Sequence, residues 1–278
     1  MIIHILYRTC FLLMLFLGVY ISTQAQNTGQ IVSTIAFSTL REKAEHNTPF
    51  DILINPATAS FFKGFSVGVC SEQKWGLKKM LSANVSTIWA TKNGTWAIPI
   101  YINKAGSLSN TTPSLLYARK VSSTIGLAMQ VGCDIQQIEK YGTQKYIDTK
   151  LGIVAHATPQ LHVGVSIHNV QFLLQKEKLA TNKPLSVSYQ IAYEPSKLVV
   201  LQMIAQKQQH QDVQLSAGIY YRLHRSLEIS MGVNTEGNQF WGSGSFIWKN
   251  VQLGVSTTLH PQLGITPGLC LIYNPKNN

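Results

Sequence analysis

The stretch Asn250-Val251-Gln252-Leu253-Gly254-Val255-Ser256-Thr257-Thr258-Leu259 decides the fold class. Val251, Leu253 and Val255 occupy every second position, and Gln252, Gly254 and Ser256 fill the positions between. Successive side chains of a strand point to opposite faces, so one face here is greasy and the other polar or tiny. The contrast recurs upstream. In 226–235, Leu227, Ile229, Met231 and Val233 oppose Glu228, Ser230, Gly232 and Asn234. In 212–223, Val213, Leu215, Ala217, Ile219 and Tyr221 oppose Gln214, Ser216, Gly218 and Tyr220.

Extended outward from there, period two dominates from Phe62 to the end of the chain, with turn signals about every 10 to 15 residues. It yields about fourteen segments, near 62–70, 82–91, 94–103, 112–120, 123–137, 143–157, 160–173, 183–194, 196–207, 212–223, 226–235, 238–248, 250–259 and 263–273. Most have the 9–13 residues or so that a tilted strand needs to cross a bilayer. The expected fold is therefore all-β: a transmembrane antiparallel β-barrel over 61–273, with a short tail at 274–278.

Connections and aromatics point the same way. From a periplasmic amino terminus, the inner turns are read at Lys92-Asn93-Gly94, Val121-Ser122-Ser123, Thr158-Pro159-Gln160, Glu194-Pro195-Ser196, His224-Arg225 and Lys249-Asn250. Outer connections are read at 71–81, 104–111, 138–145, 174–182 and 207–211, mostly longer, with Glu236-Gly237 the exception. Trp89, Trp96, Tyr193, Tyr221, Trp248 and Tyr273 fall near the periplasmic ends of their strands and share the apolar parity, as an aromatic girdle would. A secreted β-sandwich also alternates, with its apolar face on a core. Charged residues are only 13% of the chain, about half the usual share, which favours the barrel.

Arg8, the apolar run to Val19 and the small residue Ala25 resemble a secretory signal peptide over 1–25. The run from Thr9 to Ile21 is about 13 residues, short of the roughly 20 a spanning helix needs. After it come Cys70, Cys133 and Cys270, odd in number and far apart, which read as small apolar wall residues rather than a disulfide framework. The formal charge is +11, but its lysines and arginines are scattered through the connections, and no basic helix appears. Nucleic acid is not an expected partner; anionic lipid head groups of an outer membrane are.

Residues 26–60 differ in texture. Arg41-Glu42-Lys43-Ala44-Glu45-His46 is charged, and Asp51 to Ser60 lacks strand alternation, so one or two short helices are expected. Such a segment is a periplasmic tail or a plug folded into the barrel mouth, the second being preferred, with Asn55-Pro56 turning the chain before the first strand.

Parity assigns Gln130, Asp134, Gln136, Asp148, Lys150, His156, His162, His168, Gln190, Gln214, Glu228, Gln252 and Thr258 to the lumen. His156, His162 and His168 are spaced by six across a turn, which matches no metal-ligand signature, so wetted lumen histidines and no metal are expected. Ser166 shares a strand with His162 and His168, but residues two apart on a strand are about 6.5 Å apart, beyond hydrogen-bond reach. No phosphate-cradling glycine loop, paired cysteines or nucleophile elbow appears, so neither enzyme nor cofactor is expected.

Asn55-Pro56-Ala57, directly ahead of the first strand, resembles the motif found there in the FadL-like fatty-acid transporter family and its relatives, among them the PorV and PorQ proteins of type IX secretion. The resemblance continues through Leu116-Tyr117-Ala118-Arg119-Lys120, Ile138-Glu139-Lys140-Tyr141-Gly142 and Leu161-His162-Val163-Gly164-Val165-Ser166-Ile167-His168-Asn169. The Gly-Gly-rich stretch usual before the motif is replaced by Leu40 to His46, and Asn274-Pro275-Lys276-Asn277-Asn278 follows the last aromatic residue. The resemblance implies an outer-membrane location. It also implies, first, a docking or shuttle platform in a type IX-like secretion pathway with secreted cargo as partner. The second implied role is a channel taking up small hydrophobic molecules such as fatty acids; a structural envelope protein is the residual expectation, apart from the resemblance.

Overall fold

In the computed structural model the described residues are 48–170 and 184–275. The expected signal peptide over 1–25, most of the 26–60 segment and the expected connection at 174–182 lie outside them. Fourteen strands form one closed antiparallel meander in which each strand pairs with its sequence neighbours and the last returns to the first. They are β1 Phe65–Gln73, β2 Met80–Thr91, β3 Gly94–Ala105, β4 Leu108–Lys120, β5 Ile125–Ile138, β6 Gly142–His156 and β7 Leu161–His168, then β8 Ser186–Ser196, β9 Val199–Gln208, β10 Gln214–His224, β11 Leu227–Asn234, β12 Gln239–Trp248, β13 Val251–His260 and β14 Gly264–Tyr273. An even strand number brings Phe65 and Tyr273 to the same rim, called here the terminal end; the other rim is the far end.

Burial runs opposite to that of a water-soluble protein. On β13, Leu253 and Val255 are 57% and 59% exposed, while Gln252 and Thr258 are both 5% exposed. Apolar side chains face out and polar ones in, so the solvent of the outer wall is hydrocarbon: this is a membrane barrel, closed because an unpaired strand edge has no hydrogen-bond partner in lipid.

Three expectations change. Cys70 and Cys270 form a disulfide across the β1–β14 seam, while Cys133 is free. Separation in sequence conceals this pairing, because barrel closure alone makes Cys70 and Cys270 direct cross-strand partners. Far-end connections are shorter than expected: Gly106-Ser107 joins β3 to β4, and 139–141 joins β5 to β6. The ladder continues beyond the apolar band through polar residues such as Gln136↔Gln144, where alternation gives no signal but backbone hydrogen bonds still form. Finally, Glu194-Pro195-Ser196 is the end of β8, and the turn is Lys197-Leu198; the register shifts between Tyr193 and Ser196, and an irregularity accommodates a proline that cannot donate to the ladder.

Candidate functional site: the seat of the amino-terminal segment

Residues 48–62 lie inside the barrel at the terminal end. Thr48 ties to Asp51 through both its backbone N–H (3.1 Å) and its hydroxyl (3.0 Å), opening a single helical turn, α1 (Asp51–Ile54). Asn55 breaks it in an extended conformation and starts a 3-10 helix, Pro56–Phe61. The Asn55 Oδ1 accepts from Ala57 N–H at 2.9 Å, and Pro56 sits at the first helical position, where no N–H is needed.

The same Asn55 is the main polar tie to the wall. Its Nδ2 donates to Gln190 Oε1 at 2.7 Å and to the carbonyls of Ile153 (3.1 Å) and Val165 (3.2 Å). Gln190 Nε2 donates to Ile54 O and to Ser166 Oγ, each at 3.2 Å. Lys150 Nζ donates to Leu53 O at 2.7 Å, and Ser86 Oγ to Pro49 O at 2.8 Å. The bonds to the carbonyls of Pro49, Leu53 and Ile54 give partners to backbone groups of the inserted segment that are otherwise enclosed by the wall, and so fix its seat.

Shape reinforces the hydrogen bonds. A Cβ on Gly152 would stand 2.7 Å from Pro56 Cγ, and one on Gly164 would stand 2.8 Å from Asn55 Nδ2; a Cβ on Gly126 would collide with Ser60 and Phe61. Strands β5, β6 and β7 thus each contribute a glycine that lets the segment approach the wall backbone. Phe50, Ile52, Ala57, Ala59, Phe61 and Phe62 form one buried cluster with inward wall residues that include Ile88, Leu116 and Val154.

At the foot of the seat the ring of Phe61 meets His156 edge-on at 4.1 Å between centroids, and Lys120 Nζ lies 4.8 Å from the Phe61 ring centroid. His156 Nδ1 and His162 Nδ1 lie 2.7 Å apart, and His162 Nε2 lies 3.3 Å from Glu194 Oε1. One proton between the two Nδ1 atoms satisfies both. The tautomer that also places a proton toward Glu194 makes His156 the donor and His162 the acceptor.

Of the other residues assigned to the lumen by parity, Asp134 accepts from Thr112 Oγ1 (2.6 Å) and from Gln136 Nε2 (3.1 Å), and His168 meets Asp148 at 2.8 Å. Gln130 is buried, Gln252 donates to Ser245 at 2.9 Å, and Thr258 is buried. Glu228 pairs with Arg222 at 2.8 Å, and Gln214 is half-buried on β10 in register with Gln206. Among the described residues, Lys150 and Gln190 bond to the backbone of residues 48–62, and His156 and His162 form its foot. Among the described residues no group of three or more potential ligands is arranged to hold a metal.

The six aromatics stand at terminal-end positions of β2, β3, β8, β10, β12 and β14. Trp89 is the cross-strand partner of Trp96 and of Phe65, and Trp96 stacks obliquely on Tyr117 at 4.7 Å. Tyr193, Tyr221, Trp248 and Tyr273 are exposed on the outer face.

Sequence reading missed the wall side of the seat. Gly126, Gly152 and Gly164 have no period that distinguishes them from other small inward residues. The hydroxyl of Ser166 belongs to the Gln190 network. A usable signal did exist: Ile88, Leu116, Val154 and Ile272 are apolar at inward parity, against the polar trend of the lumen.

Beside the seat the wall itself is interrupted. Pairing of β3 with β4 runs through Ala97↔Leu116 and resumes at Ile100↔Pro113, and that of β4 with β5 skips from Thr111↔Ile135 to Ser114↔Gly132. Pro99 and Pro113 lack the N–H groups a continuous ladder requires. Ser114 Oγ, on the lumen side of the gap, is buried with no hydrogen-bond partner among the described residues. Across the lumen, the Trp241 indole lies over Gly218 and Gly232 and borders a shallow recess with Gln202, Ile204, Ser216 and Tyr220.

No family model matches the chain, and no curated protein matches it. Solved structures share its fold. The Pseudomonas putida toluene transporter TodX superposes with a TM-score of 0.63 at 8% identity over 84% of this chain and 95% of that one. The CymD monoaromatic hydrocarbon channel gives 0.60 at 11% identity over 81% and 92%. A Pseudomonas aeruginosa FadL homologue gives 0.61 at 9% identity over 81% and 94%. At these identities the likeness is one of fold, and fold leaves function to be argued from the site.

Proposed function

We propose that the protein is an outer-membrane channel for small hydrophobic molecules, in which the seated segment around Asn55-Pro56-Ala57 guards the lumen. The observation that carries this function is the coincidence of three features: an inserted segment tied to the wall through Asn55, an apolar seat, and a ladder broken at Pro99 and Pro113. A water-filled pore for polar solutes needs neither an apolar seat nor a broken wall. A hydrophobic solute leaving the lumen through a gap in the wall enters lipid without crossing water. The named channels that share the fold carry hydrocarbons, which supports this role over a secretion platform.

Uptake of radiolabelled toluene and of a long-chain fatty acid by outer-membrane vesicles tests the proposal. Vesicles containing the protein should take up at least one probe faster than vesicles without it. Pro99→Val with Pro113→Val, which restores the missing ladder donors, should slow that uptake. Equal uptake with and without the protein, together with retention of secreted proteins in a deletion strain, would reverse the assignment in favour of export.

A further inference from the structure

Exposed cations mark the terminal end in a regular way. Lys92, Arg119, Lys197, Arg225 and Lys249 stand at five of the six hairpins there; only the β6–β7 hairpin, Thr158-Pro159-Gln160, has none. No carboxylate among the described residues is exposed at this end: Glu194 is half-buried beside His162, and Glu228 is half-buried against Arg222. At the far end both signs are exposed, with Glu139 and Asp212 among the lysines.

The cations also follow a definite layer order. The apolar outer band gives way to the Trp89, Trp96, Tyr193, Tyr221, Trp248 and Tyr273 level, and the charged turns come next. At Trp248 the two layers touch, with Lys249 Nζ 5.1 Å from the ring centroid. Hydrocarbon, interface and phosphate succeed one another in the same order across a leaflet.

We infer that this ring binds the phosphate head groups of anionic phospholipids, and so fixes which leaflet the terminal end faces. An acidic protein partner would be met by a patch on one side of the rim. These cations are instead distributed around the circumference, as annular lipids are, and they lie at head-group depth directly beyond an aromatic girdle. The inference stands on the barrel and its charges alone, whatever passes through the lumen.

The test places the full chain in nanodiscs of phosphatidylglycerol and phosphatidylethanolamine, and counts retained lipids by native mass spectrometry. The wild type should retain phosphatidylglycerol above its bulk fraction, and about 0.5 M salt should erase the excess by screening. Each cation near an anionic surface strengthens attachment about fivefold. The combined variant Lys92→Ser, Lys197→Ser, Arg225→Ser and Lys249→Ser should therefore lower the enrichment about tenfold or more. Far-end neutralisation by Lys78→Ser, Lys79→Ser, Lys140→Ser and Lys145→Ser should leave it near wild type. Heat-modifiable electrophoretic mobility reports folding in each case, and the single variants Lys92→Ser and Lys249→Ser carry the test if the combined one fails to fold. Three results would overturn the inference: no excess in the wild type, equal loss from both variant sets, or an unchanged excess in the ring variant, even one that loses an acidic protein partner.

Discussion

Asn55 and Gln190, 135 residues apart, pair side chain to side chain at 2.7 Å in the barrel interior, and Gln190 in turn donates to Ile54 O at 3.2 Å. The amide of Gln190 thus reads both the motif residue and the backbone before it. Asn55→Ala removes the donor to Gln190 Oε1 and to two carbonyls, and leaves Gln190 with an orphaned acceptor. Seating of residues 48–62 should weaken by about 2–4 kcal/mol, with the barrel still folded. Hydrogen exchange that stays as slow in 48–62 of the variant as in the wild type would refute the polar-tie account.

Shape should matter as much as hydrogen bonding. Gly152→Val places atoms where Pro56 now lies, so it should unseat the segment and raise single-channel conductance in planar bilayers. Gly244 faces the outer side, and a Cβ there meets nothing within 4 Å. Gly244→Ala should leave conductance unchanged.

The seam disulfide closes a loop of 200 residues in sequence. By the chain-entropy argument such a cross-link stabilises the closed barrel by about 5 kcal/mol, because the unfolded chain loses that much freedom. Cys70→Ser with Cys270→Ser, or reduction of the wild type after unfolding, should lower the thermal midpoint in detergent. The folded variant should keep its heat-modifiable mobility, since fourteen paired strands still close the sheet.

Cys133 shares outward parity with Val131 and Ile135 on β5 and is partly exposed beside the Pro113 interruption. In lipid vesicles a lipophilic maleimide should label it, and a charged, membrane-impermeant maleimide should not. Efficient labelling by the charged reagent would place this part of the wall in water.

Period two in segments such as 212–223 and 250–259 was enough to obtain the strand number, the greasy outer face and the common end of both termini. These properties follow from a local rule, the alternation of side chains along an extended backbone, and every residue obeys it without knowing its distant partners. The texture change before Phe62 and the helix-breaking Asn55-Pro56 were legible for the same local reason. Closure of the sheet brought Cys70 to Cys270, and the wall curvature brought Gly126, Gly152 and Gly164 under one short helical segment. Only then could Asn55 find Gln190, or His156 share a proton with His162 while Glu194, read as a turn residue, came up behind it. Such contacts join positions that alternate identically along their own strands. What distinguishes them is which strand stands next to which and what fills the space inside, information that exists only once the ring is closed.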